Sequence, residues 1–286
     1  MKSKLFVEIV QSDWLEEILI DPISKTKLTR SNEGYYSERG FSYSIKNKIP
    51  DFRIRLNQFD NEWQKGQDVY EQWMLKYLNK AENDTDYYPE EQKRDAPMYK
   101  KLVLEGRVLD VGGSLGNIRK YMMQNQEYCS IDPFIDVYKL AEGRNNLFKN
   151  YPTEQPINFV AGYAEFLPFE TSTFQTVNMR SCIDHFFNPE LSLLETYRVL
   201  KDNGKLIIGM TVKVNSTKNI IKEAARRILN LFTKRFEDKH IWHPSKNELV
   251  TMCKKCGFEL EDEIWQNENV WYASFRKIST ELIRIT

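Results

Sequence analysis

The chain has 286 residues, 41% hydrophobic and 29% charged, with Lys plus Arg equal to Asp plus Glu at 41 each. That length supports one large domain, or a medium domain with an appendage. The balanced charge excludes a general attraction for polyanions, and no apolar run approaches the roughly 18 residues of a membrane-spanning helix.

The opening stretch "MKSKLFVEIVQSDWLEEI" is interrupted by Glu8 and Asp13 and lacks the long apolar centre of a secretory signal, so a soluble cytoplasmic protein is expected. Of Cys129, Cys182, Cys253 and Cys256 only the last two lie close together, which argues against a disulfide framework. Residues 1–56 include "KLTRSNEGYYSERGFSYSIKNKIPDF", where aromatic or branched residues alternate with polar ones between turn formers. A small β-rich appendage is expected there.

Residues 57–104 read as a helical linker or cover. Tyr70, Trp73, Met74, Tyr77 and Leu78 fall at helical spacing, and the stripe of Trp63, Trp73 and Tyr77 reads as core rather than as a substrate platform. The polar, Pro-bounded stretch 79–97 reads as a linker or mobile cover. From residue 105 the pattern alternates. Strands are expected at 107–111, 127–131, 157–161, 174–180 and 204–212, with helices near 116–125, 135–147 and 189–201. Such alternation implies an α/β fold, a mostly parallel sheet with helices on both faces. A basic amphipathic helix at 216–236 forms an insertion at about 215–240. It reads as a solvated face whose apolar side covers the pocket or meets a partner, with a membrane-surface or phosphate-binding role as the alternative. Ser245 and Glu248 then make a capping box before a helix ending at Gly257, and strands follow at 258–265 and 270–278. Cys253 and Cys256 spell CxxC on that helix without a partner pair, so they read as packing residues.

In an open parallel sheet, ligands bind beyond the carboxyl ends of the strands where the order reverses, so the loop after the first strand of this unit matters most. A dinucleotide fingerprint would need glycine at three positions that hold Gly112, Ser114 and Asn117, and only the first fits. A phosphate-loop Lys is also missing.

The phrase "VLDVGGSLG" instead resembles the first motif of class I S-adenosylmethionine (SAM)-dependent methyltransferases, through Asp110, Gly112 and Gly116, with Ser114 where glycine is usual. "CSIDPF" places Asp132 and Pro133 at the end of the second strand, where a carboxylate can accept ribose hydroxyls. The run "FVAGYAEFLPFETSTFQTVNMRSCIDHFFNPELSLLETYRVLKDNGKLII" is similar to the type 11 branch of that family. The resemblance implies a Rossmann-like, seven-stranded sheet over 105–286 with its last strand antiparallel, and SAM as cofactor. It assigns Asp110, Gly112, Gly113, Ser114, Gly116, Asp132, Pro133, Tyr163, Ala164, Glu165 and Arg180 to cofactor binding. Two departures stand out: Tyr163 replaces a common adenine-side Asp, and Gln175 replaces an acid in the fourth strand.

Asp184 and His185 follow the fourth strand, where the acceptor should sit. His185 is the first candidate for substrate positioning or proton removal, with a structural hydrogen bond as the alternative, and Asp184 is the second. His240 is a further candidate substrate contact. The appendage resembles a short zinc-ribbon-like domain whose four ligand positions are here Asp21, Ser24, Tyr36 and Arg39. None supplies a thiolate, so no metal is expected. The acceptor is expected to be a small molecule, a sugar or a lipid-linked precursor. An RNA methyltransferase and a non-catalytic SAM- or partner-binding relative are the alternatives.

Overall fold

A computed structural model describes residues 8–54, 61–83, 87–134, 156–214, 240 and 242–278. The helices expected at 135–147 and 216–236 lie outside these residues. Among the described residues, no helix is long and apolar enough to cross a membrane.

The centre of the molecule is the expected mostly parallel sheet. Strands β6 (Val108–Val111), β7 (Tyr128–Asp132) and β8 (Ile157–Ala161) are buried at every position, as strands covered on both faces must be. Strand β9 (Phe174–Arg180) pairs in parallel with the other side of β6, and β10 (Leu200–Thr211) pairs in parallel with β9. The chain thus runs outward from β6 to β8 and then returns to the far side of β6, so a crevice opens between the ends of β6 and β9. Strand β12 (Val270–Lys277) is antiparallel to β10, and β11 (Phe258–Trp265) completes that edge.

The sheet has one strand more than expected. Residues Ile9–Val10 form β1, parallel to β8, so the chain enters the main sheet before building its appendage. After helix α1 (Asp13–Ile18), strands β2 (Leu28–Arg30), β3 (Gly34–Ser37), β4 (Ser42–Lys46) and β5 (Ile49–Pro50) form an antiparallel meander. Its core is aromatic: Phe52 has its ring 5.5 Å from Tyr35 and 4.8 Å from Tyr43. In the turn that resembles a metal knuckle, Asp21 accepts the amide hydrogens of Ile23 (2.8 Å) and Ser24 (3.0 Å). A carboxylate thereby ties the turn with backbone donors. The meander is joined to the main sheet where the Phe52 amide donates to the Ala161 carbonyl (2.8 Å).

Two expected stretches take other forms. The segment 79–97 is not a linker: it holds the end of helix α2 (Asn61–Asn83) and most of helix α3 (Tyr87–Lys101). Its polar composition hides the fact that Asp95 is buried, through an ion pair described below, as are Met98 and Tyr99 just beyond it on α3. The helix expected at 116–125 is a single 3-10 turn, Asn117–Tyr121, because Arg119 folds back onto the Gly116 carbonyl and reaches the Pro156 carbonyl. Helices α4 (Pro189–Val199) and α5 (Lys246–Lys255) pack beside the sheet; the Asn188 side chain caps α4, and the expected Ser245–Glu248 box starts α5. Cys253 and Cys256 are buried in the core.

Candidate functional site

At the crevice between β6 and β9 lies a cavity of about 220 Å³. Its floor is the loop after β6, held close to the neighbouring strands. A Cβ on Gly113 would sit 2.5 Å from Asp110 Oδ2 and 2.6 Å from Ser130 Oγ, so only glycine fits there. Ser114 has a left-handed backbone (φ 46°), and its amide donates to Asp132 Oδ2 at 3.2 Å. The loop is therefore locked to the end of β7 through one carboxylate.

Three acids on this floor are buried. Asp110 accepts the Tyr128 hydroxyl (2.7 Å) and the Asn178 amide (2.8 Å), and burial pushes its carboxyl up to about 6 despite these bonds. Asp132 also accepts the Phe134 amide (2.8 Å); burial pushes it up to about 7. Glu165 accepts the Asn188 amide (3.2 Å), which ties the loop before α4, and burial raises it to about 7. The cation on the same wall, Arg180, stands 2.7 Å from Asp95 Oδ2 and donates to the Tyr272 hydroxyl (3.1 Å). Buried carboxyls held above their ordinary range favour a ligand bearing positive charge and hydroxyl donors.

The other end of the cavity is built from rings. Tyr70 of α2 lies 5.3 Å from the His185 ring, and Trp73 stacks with Tyr70 (6.0 Å) and Tyr77 (5.4 Å). His185 lies 4.8 Å from His240, whose Nε2 is 3.5 Å from Asp184 Oδ2. The Trp242 amide donates to the Asp184 carbonyl (3.3 Å), which fixes the segment around His240 against the loop after β9.

Most residues singled out in the sequence converge here. Asp110, Gly112, Gly113, Ser114, Asp132, Pro133, Tyr163, Ala164, Glu165, Arg180, His185 and His240 all line the cavity. Gly116 does not; its left-handed φ of 76° and the closeness of its Cβ position to Arg119 and Ile157 give it a packing role instead. Asp184 stands behind His240 rather than on the cavity wall. The aromatic stripe of α2 corrects the reading as core: Tyr70, Trp73 and Tyr77 line the cavity, and Trp73 is 42% exposed. The Trp63 side chain lies outside the described parts of the chain. Asp95 was missed entirely, because a lone acid in a polar stretch carries no signal until the fold brings Arg180 to it.

Comparison with known proteins places part of the chain within a family and a fold. Residues 109–208 match the family described as "Methyltransferase domain" (type 11). A 2-methyl-6-phytyl-1,4-hydroquinone methyltransferase of Oryza sativa subsp. japonica is 25% identical over 214 residues, which cover 72% of this chain and 58% of that protein. A ubiquinone/menaquinone biosynthesis C-methyltransferase of Agrobacterium fabrum is 29% identical over 104 residues, 36% of this chain and 40% of that one. The chain thus spans well under two thirds of the length of both. In fold, the chain is similar to the PH0226 protein of Pyrococcus horikoshii (TM-score 0.50, 19% identity, 66% of this chain and 91% of that one). It is also similar to a methyltransferase chain from a complex with the Trm112 activator of Haloferax volcanii (TM-score 0.51, 11% identity, 74% and 97%).

Proposed function

Starting from the premise that residues 109–208 are a type 11, class I, SAM-dependent methyltransferase domain, we propose that this protein methylates a small-molecule, sugar or lipid-linked acceptor held against His185 and His240. The observation that carries the reading is the pairing of two unlike ends in one cavity. One end is a buried acidic floor suited to a cationic nucleoside, and the other is an aromatic wall beside two imidazoles. SAM supplies an electrophilic methyl group whose leaving sulfur already carries the positive charge.

Each residue then has a definite task. Asp132 accepts ribose hydroxyls, the Ser114 loop fits under the methionine part, and Tyr163 with Ala164 borders the adenine. Asp110 and Arg180 face the charged end of the methionine. Glu165 holds the loop before α4 in register with the cavity. Alignment and exclusion of water supply most of the rate in such a displacement, and the α2 wall serves both. An acceptor hydroxyl must also lose a proton, which falls to the cluster of Asp184, His185 and His240.

An aromatic acceptor suits the Tyr70–Trp73–Tyr77 wall; one relative is named as a 2-methyl-6-phytyl-1,4-hydroquinone methyltransferase and another as a C-methyltransferase of ubiquinone/menaquinone biosynthesis. Calorimetry with SAM, followed by S-adenosylhomocysteine release across a panel of phenols, sugars and prenylated quinols, tests the reading. Micromolar binding and turnover on one class are expected. The absence of binding at millimolar SAM would sink the proposal, and binding without turnover on any class would point to a non-catalytic relative. Salt-dependent affinity for RNA together with turnover on it would move the acceptor to nucleic acid.

A further inference from the structure

We infer that Asp184, His185 and His240 bind one divalent transition-metal ion at the acceptor end of the cavity. Each offers one ligand atom, and these atoms all lie within 4.8 Å of one another. Ligands about 2.0–2.2 Å from a shared ion stand roughly 3–4 Å apart, so small side-chain rotations close the set. A second observation points the same way. Asp184 is 6% exposed, and among the described residues its Oδ1 is buried without a hydrogen-bond partner. A buried carboxylate oxygen left in that condition is costly, and a cation removes the cost. The backbone supports the arrangement, because the Trp242 amide holds the His240 segment to Asp184 itself. Two imidazoles and one carboxylate select Zn²⁺, Fe²⁺, Mn²⁺ or Co²⁺ over Mg²⁺ and Ca²⁺, which prefer all-oxygen ligands.

Three protein ligands leave coordination positions open toward the cavity, where His185 and His240 line the wall. Resting on the reading of this cavity as a methyl-transfer site, the ion would take an acceptor oxygen, such as one of two adjacent hydroxyls on an aromatic ring. As a Lewis acid it would lower that hydroxyl's pKa, and with both imidazoles engaged as ligands the proton would leave to solvent instead of to them. The oxygen lone pair then forms the new bond to the methyl carbon, and the carbon–sulfur bond breaks with its electrons remaining on sulfur. The ion is neither oxidised nor reduced.

The test uses the untagged full chain, stripped with chelator and titrated with Co²⁺ alone, then with Zn²⁺ in competition. One equivalent should bind with a visible absorption band that Zn²⁺ abolishes. Asp184→Asn and His240→Ala should each lose at least about 10-fold in metal affinity. Asp184→Asn, whose side chain is off the cavity wall, should keep the SAM affinity of the parent, which also shows that it is folded; His240→Gln is the milder second variant. Substoichiometric Co²⁺, or affinity unchanged in these variants, would overturn the inference. Because metal binding is read without SAM, its failure is distinguishable from failure of SAM to bind.

Discussion

Asp132 shows how one buried residue sets a pH response. Burial raises its carboxyl from 3.8 to about 7, so between those values the folded protein holds a proton that the unfolded chain has released. Its contribution to stability is therefore fully present below the unfolded value and is lost as pH rises through about 7. Ligand binding runs the opposite way, since ribose hydroxyls and a cationic ligand both prefer the ionised form. SAM affinity should rise as pH rises through about 7, as measured by calorimetry on either side of that value. Asp132→Asn cannot ionise, so the slope should flatten and affinity should fall by about 1.5–3 kcal/mol, roughly 10- to 150-fold. An affinity that falls with rising pH in the parent protein would show that Asp132 does not meet the ligand in its charged form.

At the scale of elements, helix α2 is where sequence pattern and structure part company. Its apolar spacing predicts the helix correctly, yet the same spacing cannot say whether the stripe meets a core or a cavity, because both demand large apolar side chains. Helix α3 was lost for the converse reason: its polar surface dominates, and its buried acid makes sense only beside Arg180. The strands were legible because β6, β7 and β8 are buried on both faces and must read as apolar runs. The glycine loop after β6 was legible because close approach at Gly113 admits no side chain. The junction of His185 with His240 was hidden, since each carried only a local hint and 55 residues separate them. The α2 wall yields a prediction that separates cavity from core. Trp73 is 42% exposed, so Trp73→Ala should cost clearly less than the about 3–5 kcal/mol of a fully buried Trp. If the wall meets the acceptor, the same substitution raises the acceptor KM several-fold while SAM affinity holds. A large fall in Tm with an unchanged KM would return Trp73 to the core.

At the scale of the whole molecule, the appendage is part of the site's support. Arg53, just beyond the meander, pairs with Asp51 (Nη2–Oδ2 2.7 Å) and donates from Nη1 to the Pro133 carbonyl (3.2 Å). Pro133 follows Asp132 directly and lines the cavity, so the meander braces the segment that carries the carboxylate proposed to meet the ribose. The neighbouring Phe52 amide donates to the Ala161 carbonyl, three residues before Ala164 on the cavity wall. Two contacts from one short stretch thus hold both flanks of the cavity's acidic end. Losing the Arg53 bond removes about 0.5–1.5 kcal/mol of restraint on Pro133, the worth of one hydrogen bond. Arg53→Ala should therefore weaken SAM binding by about 2- to 10-fold with only a small shift in Tm. Phe52→Ala, at a fully buried ring, should instead cost about 3–5 kcal/mol of stability. Calorimetry and thermal melts on the two variants separate the roles: if Arg53→Ala binds SAM as the parent does, the appendage stabilises the fold without tuning the site.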